Sequence, residues 1–323
     1  APTIAGMDPD PRRAHEPATG RRQLLDRLAW LTAALLLATI GLSAYMRLAQ
    51  AGIGCADWPA CYAESFRLGA TAEPTAAESV ARLAHRIVAT AALALMLAMT
   101  MLAWTARPAW PAQRRWTTAL LALALGLSAL GVVTPGSRVP AVGMGNLLGG
   151  FAALAICARI LALDRARAAH GDRHLRTLAR IAGVLLVLQL ATGALLSTSY
   201  AALACGSLDE CQRAAAASGW PWQALDPWRE PRFAFDAPQV MADGALTQWL
   251  HRIGAIMVAG LLVATGVMAL RRGHPAIGIA LVVLPVAQVA IGLIASASGL
   301  PLALVLLHNL NAALLLSALV LLV

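Results

Sequence analysis

The chain has no lysine: every one of its 25 basic residues is arginine. Charge of either sign is scarce, at 13% of 323 positions, while hydrophobic residues make up 59% and mean hydropathy is +0.69. Soluble domains carry about 25% charged residues, so a water-soluble globular class is excluded. Aromatic residues are few, at 5%, and form no interleaved stripe with the arginines. That absence excludes a nucleic-acid partner despite a net charge of +9. Cysteine is also sparse, with five residues, but four fall into two pairs of equal spacing, Cys55 with Cys61 and Cys205 with Cys211. Pairs in polar segments point to an oxidising compartment.

What the chain does have is long apolar runs. Eight of them lie near Leu25 to Leu48, Val80 to Trp104, Trp116 to Val133, Val139 to Leu161, Leu178 to Tyr200, Ala245 to Leu270, Pro275 to Ala295 and Pro301 to Val323. Each is long enough to cross about 30 Å of hydrocarbon at roughly 1.5 Å per residue. Before them, Ala1 to Gly20 is rich in proline and charge and contains no signal-peptide-like apolar core, so it is expected to be a flexible tail.

Arginine collects in alternate connections: Arg12, Arg13, Arg21, Arg22 and Arg27 before the first run, then Arg107, Arg114 and Arg115 after the second. The next alternate segment holds Arg165, Arg167, Arg173, Arg176 and Arg180, and the last holds Arg271 and Arg272. Positive charge marks the cytoplasmic side, which places both termini inside and both cysteine pairs outside. A bacterial inner-membrane, multi-pass location follows, with lipid as the surrounding partner.

The pattern then repeats: a span, a long outer loop with a cysteine pair, a span carrying His-Arg, a third span, a short outer turn and a fourth span. L-A-H-R-I at His85 and W-L-H-R-I at His251 occupy matching places. The expected fold is an all-α membrane protein of eight transmembrane helices arranged as two pseudo-symmetric four-helix bundles. Residues 1–24 would be the cytoplasmic tail, 25–162 the first half, 163–177 a basic cytoplasmic linker and 178–323 the second half.

An ionisable residue inside a membrane span is costly and usually functional. His251 lies seven residues after Gly244 and His308 seven after Pro301, so each sits about 10 Å below the outer end of its span at roughly 1.5 Å per residue. Two neutral imidazoles at one depth on the sixth and eighth spans can supply both axial ligands of a haem iron across a bundle. His85, seven residues after Glu78, shares that depth in the first half, where the fourth span offers Asn146 or Gly145 but no histidine. The alternative for each histidine is a polar residue bonded to a neighbouring helix without any cofactor; three at one depth favour the haem reading. His15, His170, His174 and His274 lie among arginines and are assigned to solvated surface. Arg86 and Arg252 follow the histidines directly and are candidates to bind haem propionates, or else to snorkel to the outer surface.

The segment Cys55-Ala-Asp-Trp-Pro-Ala-Cys61 is compact enough for its thiols to meet. Cys205 and Cys211 invite the same disulfide reading, and either pair could be structural or redox-active. Cys157 lies within the fourth span and is expected to pack as an apolar residue.

The run R-L-A-Q-A-G-I-G-C-A-D-W-P-A-C at Arg47 to Cys61, the two His-Arg spans and the L-H-N-L-N-A-A ending resemble the haem A synthases. The resemblance covers all eight spans, and D-W-P between the cysteines is its most specific part. It implies an oxidoreductase in which the second half holds haem b between His251 and His308, with electrons relayed through it from an unidentified donor. It implies that the first half receives haem O, supplied by the haem O synthase, and that its methyl group is oxidised to the formyl group of haem A. His85 would bind the substrate iron.

Two positions depart from the family pattern, which usually has a glutamate three residues before the first-half histidine and a second histidine in the fourth span. Here they are Arg82 and Asn146. Glu78 lies about two turns before His85 on the same face and is the candidate substitute for the carboxylate. Two other classes remain open: a non-catalytic haem-binding or oxidase-assembly protein, and a membrane cytochrome b subunit that passes electrons across the bilayer. Candidate ligands at a single depth, not stacked across the membrane, argue against the last. A homo-oligomer is allowed by this reading and not required by it.

Overall fold

The computed structural model describes residues 11–68, 75–134, 136–163 and 173–323. The first ten residues of the expected tail, and Arg165, Arg167 and His170 of the basic linker, lie outside the described residues. Within them the helices are α1 (Pro11–Gln50), α2 (Glu64–Leu68), α3 (Ala76–Trp104), α4 (Pro111–Val133) and α5 (Pro140–Ala162). There follow α6 (Arg173–Thr198), α7 (Leu208–Ala217), α8 (Gly244–Arg271), α9 (Pro275–Ala297) and α10 (Leu302–Val320), with a 3₁₀ turn at Trp222–Leu225. Eight of these are long and apolar enough to cross a membrane, the shortest having 19 residues. The protein is a multi-pass helical membrane protein, and its described residues contain no strand beyond one isolated bridge between Phe233 and Met241.

Hydropathy placed the spans correctly but trimmed their arginine-bearing ends. α1 begins at Pro11 and not at Leu25, and its membrane-length segment begins at Gly20. Similarly α4 begins at Pro111 and α6 at Arg173. Arginine is a good helix former and proline suits the first helical turn, so the backbone ladder runs on beyond the apolar band.

Helix pairing closes two rings. In the first, α1 packs on α3, α3 on α4, α4 on α5 and α5 back on α1; in the second the order is α6, α8, α9, α10. In each ring one pair that concerns the site stands across the bundle, α3 from α5 and α8 from α10. The rings meet where α10 packs on α1 and α5, and α5 on α6. Ala312 and Ala313 of α10 are buried in the first ring's apolar cluster, together with Leu36, Met99 and Phe151. Such small side chains let helix backbones approach closely where hydrocarbon supplies no hydrophobic drive. Large apolar side chains such as Val132, Met257 and Leu293 point outward, as expected of a surface that meets lipid.

At the cysteine end the loops of both halves form one apolar cap. The turn after α1 needs its glycine: Gly52 has φ +88°, and a Cβ there would lie 2.6 Å from the Cys61 carbonyl oxygen. Tyr62 is fully buried and meets Trp58 and Tyr200 edge-on, with centroids 5.4 and 5.9 Å away. Phe66 then contacts Tyr200 and Phe233, which joins the first loop to the second.

Candidate functional site

In the second ring, His251 stands on α8 and His308 on α10, helices on opposite sides of the bundle. Each is supported by the neighbouring helix in the same way. Gln189 on α6 donates from Nε2 to the His251 carbonyl at 2.8 Å, with the same nitrogen 3.0 Å from the His251 Nδ1. Gln288 on α9 donates to the His308 carbonyl at 3.1 Å, and Asn311 donates to the Gln288 Oε1 at 2.7 Å. Four residues after each glutamine comes a glycine against the ring. A Cβ on Gly193 would lie 2.8 Å from the His251 Cε1, and one on Gly292 would lie 3.1 Å from the His308 Cε1.

These glutamines and glycines were missed in the sequence. Their signal was present, since Q-x-x-x-G occurs at 189–193 and again at 288–292 inside otherwise apolar spans. A glutamine in hydrocarbon needs a partner, and a glycine one turn away leaves room for a ring.

Arg252 is turned away from the ring pair and toward the second cysteine loop. It donates to the Gly206 carbonyl at 3.1 Å, the Cys205 carbonyl at 3.4 Å and Ser296 Oγ at 3.1 Å, with the Cys211 sulfur at 3.6 Å. Nearby Gln248 is buried and donates to the Ala202 carbonyl at 2.9 Å. Both residues therefore tie α8 to the loop.

The first ring is built differently. His85 on α3 is half-buried and makes no hydrogen bond among the described residues. Arg82 and Arg86 are exposed beside it. Glu78 closes a capping box at the start of α3: its Oε2 accepts from the Thr75 N–H at 2.9 Å, and its own N–H donates to Thr75 Oγ1 at 3.2 Å. Across the bundle, Asn146 on α5 donates a hydrogen bond to Thr134 Oγ1 at the end of α4. Leu130 fills the space beside Gly145, where a Cβ would lie 2.9 Å from its methyl. No glutamine on α1 or α4 approaches His85 as Gln189 approaches His251.

Both cysteine pairs are adjacent. Cα separations are 6.6 Å for Cys55 and Cys61 and 5.1 Å for Cys205 and Cys211, within the reach of a disulfide. Cys157 is buried and contacts the Ala29 carbonyl at 3.2 Å, as an interior residue of α5.

With this geometry, residues 26–320 match the model of a family described as cytochrome oxidase assembly protein. The chain belongs to that family. It is also similar to the heme A synthase of Shewanella oneidensis, at 31% identity over 91% of this chain and 95% of the relative.

The family implies haem, and the second ring suits it. Neither His251 nor His308 uses Nε2 in a hydrogen bond among the described residues, which leaves both atoms free for iron. Iron at Nε2 requires the proton on Nδ1. For His251 that proton has an acceptor in Thr192 Oγ1 at 3.4 Å, while Gln189 keeps its bond to the carbonyl. His308 Nδ1 is buried without a partner. The two glycines hold open the space that the rings occupy.

Proposed function

We propose that this chain is a haem A synthase, an oxidoreductase of haem A biosynthesis that binds haem O in its first half and oxidises its methyl group to a formyl group. The observation that carries the reading is the matched pair His251 and His308, each with a free Nε2, set on opposite helices of the second ring within a chain of this family. When bound there, haem b supplies one-electron redox chemistry close to the substrate half. His251 and His308 would hold the iron, and Gln189 and Gln288 would orient them. In the first ring His85 is the ligand for the substrate haem. Arg86, exposed beside it, is available to a propionate. Arg252, bound to the cysteine loop, would reach a propionate only by exchanging those bonds.

The two cysteine pairs are read as disulfides that shape the outer loops above each half. The cytoplasmic termini, the inner-membrane location and the transfer of haem O from its synthase belong to the same proposal.

A specific observation favours a second reading, a haem-binding assembly protein without catalysis. Arg82 stands exposed where the family resemblance leads one to expect a carboxylate, Glu78 is engaged in capping α3, and Asn146 is bonded to Thr134. The deciding experiment is expression in cells that make haem O but no haem A, followed by chromatography of the extracted haems. Haem A from the unmodified chain supports the synthase. Haem A only after Arg82→Glu together with Asn146→His supports the carrier, and its absence in both sinks the catalytic reading.

A further inference from the structure

Arg47 occupies the last turn of α1, half-buried where the two rings meet. Its Nε donates to Ser197 Oγ on α6 at 3.3 Å and its Nη2 to Asn309 Oδ1 on α10 at 3.4 Å. One side chain from the first ring thus touches two helices of the second, and Asn309 directly follows His308. Asn309 is itself oriented, since its Nδ2 donates to the Val305 carbonyl at 2.8 Å. Directly after Arg47 in the chain, the buried Leu48, Ala51, Ile53 and Tyr62 pack with Tyr200 and Val305 toward the loop end.

The electrostatics of this arrangement are incomplete. Both contacts are long and neutral, and among the described residues no carboxylate lies within ion-pair distance of Arg47. A guanidinium has five N–H donors, of which two are used here. Nη1 donates to no protein acceptor, yet it is not sealed off. A cation removed from water and left without an anion is costly, whereas its planar fork suits the two oxygens of a carboxylate. The interior position between α1, α6 and α10 disfavours a lipid phosphate as that anion.

We propose that Arg47 is a binding residue for a propionate carboxylate of the haem held by His251 and His308, so that α1 of the first ring completes the site of the second. The inference rests on the haem reading given above. It makes the two halves one binding unit: the second ring alone would hold its haem by iron ligation but lack a cationic anchor at the ring junction.

The test is a cycle between side chain and propionate. Protein carrying His85→Ala, which leaves only the second-half iron site, is stripped of haem and titrated with haem b or with haem b dimethyl ester. Each titration is repeated with Arg47→Gln added. With Arg47 present the diacid should bind roughly tenfold or more tighter than the ester, as a hydrogen bond to a charged group predicts. With Arg47→Gln the two should bind within about twofold of each other, on the same scale of binding free energy. An equal preference for the diacid in both proteins overturns the proposal. If Arg47→Gln fails to fold, Arg47→Lys takes its place; it loses the bidentate fork and should show a reduced preference, and an unchanged one is equally fatal. Failure of the haem reading looks different, because then the His85→Ala parent itself forms no low-spin haem complex.

Discussion

The Gln189 amide on α6 and the His251 carbonyl on α8 are joined by a 2.8 Å hydrogen bond inside two membrane-length helices. That carbonyl already belongs to the helical ladder, so the extra donor fixes the backbone of α8 just where the imidazole leaves it. Gln288 does the same for His308 at 3.1 Å. The two histidines therefore stand on backbones held from neighbouring helices, and on the proposed reading this would preorganise their rings for a common ligand.

The iron-ligand reading predicts a low-spin bis-histidine spectrum for the purified protein. Replacing His251 or His308 with alanine should abolish it, because one axial bond is lost. Absorbance and electron paramagnetic resonance of the two variants decide the matter, and a wild-type spectrum in both would end the assignment.

Gln189→Leu and Gln288→Leu should keep the fold but weaken haem retention by roughly tenfold, the usual scale for partners that orient a ligand. The readout is haem loss to a competing apoprotein. Gln189→Leu should have the larger effect, since its bond to the histidine carbonyl is the shorter, 2.8 against 3.1 Å.

The glycine cradles should respond in order of tightness. Gly193→Ala places a Cβ 2.8 Å from the His251 ring, whereas Gly292→Ala places one 3.1 Å from that of His308. Both should lower the low-spin fraction, and Gly193→Ala should lower it more; the reverse order would show that the rings are free to move aside.

For the outer loops, non-reducing peptide mapping of protein isolated from the membrane should find Cys55 joined to Cys61 and Cys205 to Cys211. Four free thiols would count decisively against the pairing. Arg252 contacts the second loop through Gly206, Cys205 and Cys211. Arg252→Met should therefore speed proteolysis in residues 203–212, while Arg86→Met leaves that loop unaffected.

Several features were open to the sequence alone. Eight apolar runs became eight membrane-length helices because burial in hydrocarbon demands about twenty apolar residues and leaves little choice of backbone. A similar distance of His85, His251 and His308 from the outer ends of their spans was expected from counting along the chain, since the rise per residue is constant. The capping boxes at Thr75 with Glu78 and at Ser207 with Glu210 were also readable from their spacing, although hydropathy passed over α7 as loop.

What only the tertiary structure decided is azimuth, the direction in which each side chain leaves its helix. Gln189 and Gln288 meet histidines, Arg252 turns to a cysteine loop, Asn146 bonds Thr134, and Arg47 crosses from one ring to the other. The reason is physical: hydropathy and helical rise constrain position along the membrane normal, whereas rotation about the helix axis is set by packing against particular neighbours. That the first ring lacks the glutamine supports of the second therefore became visible only once those neighbours were in place.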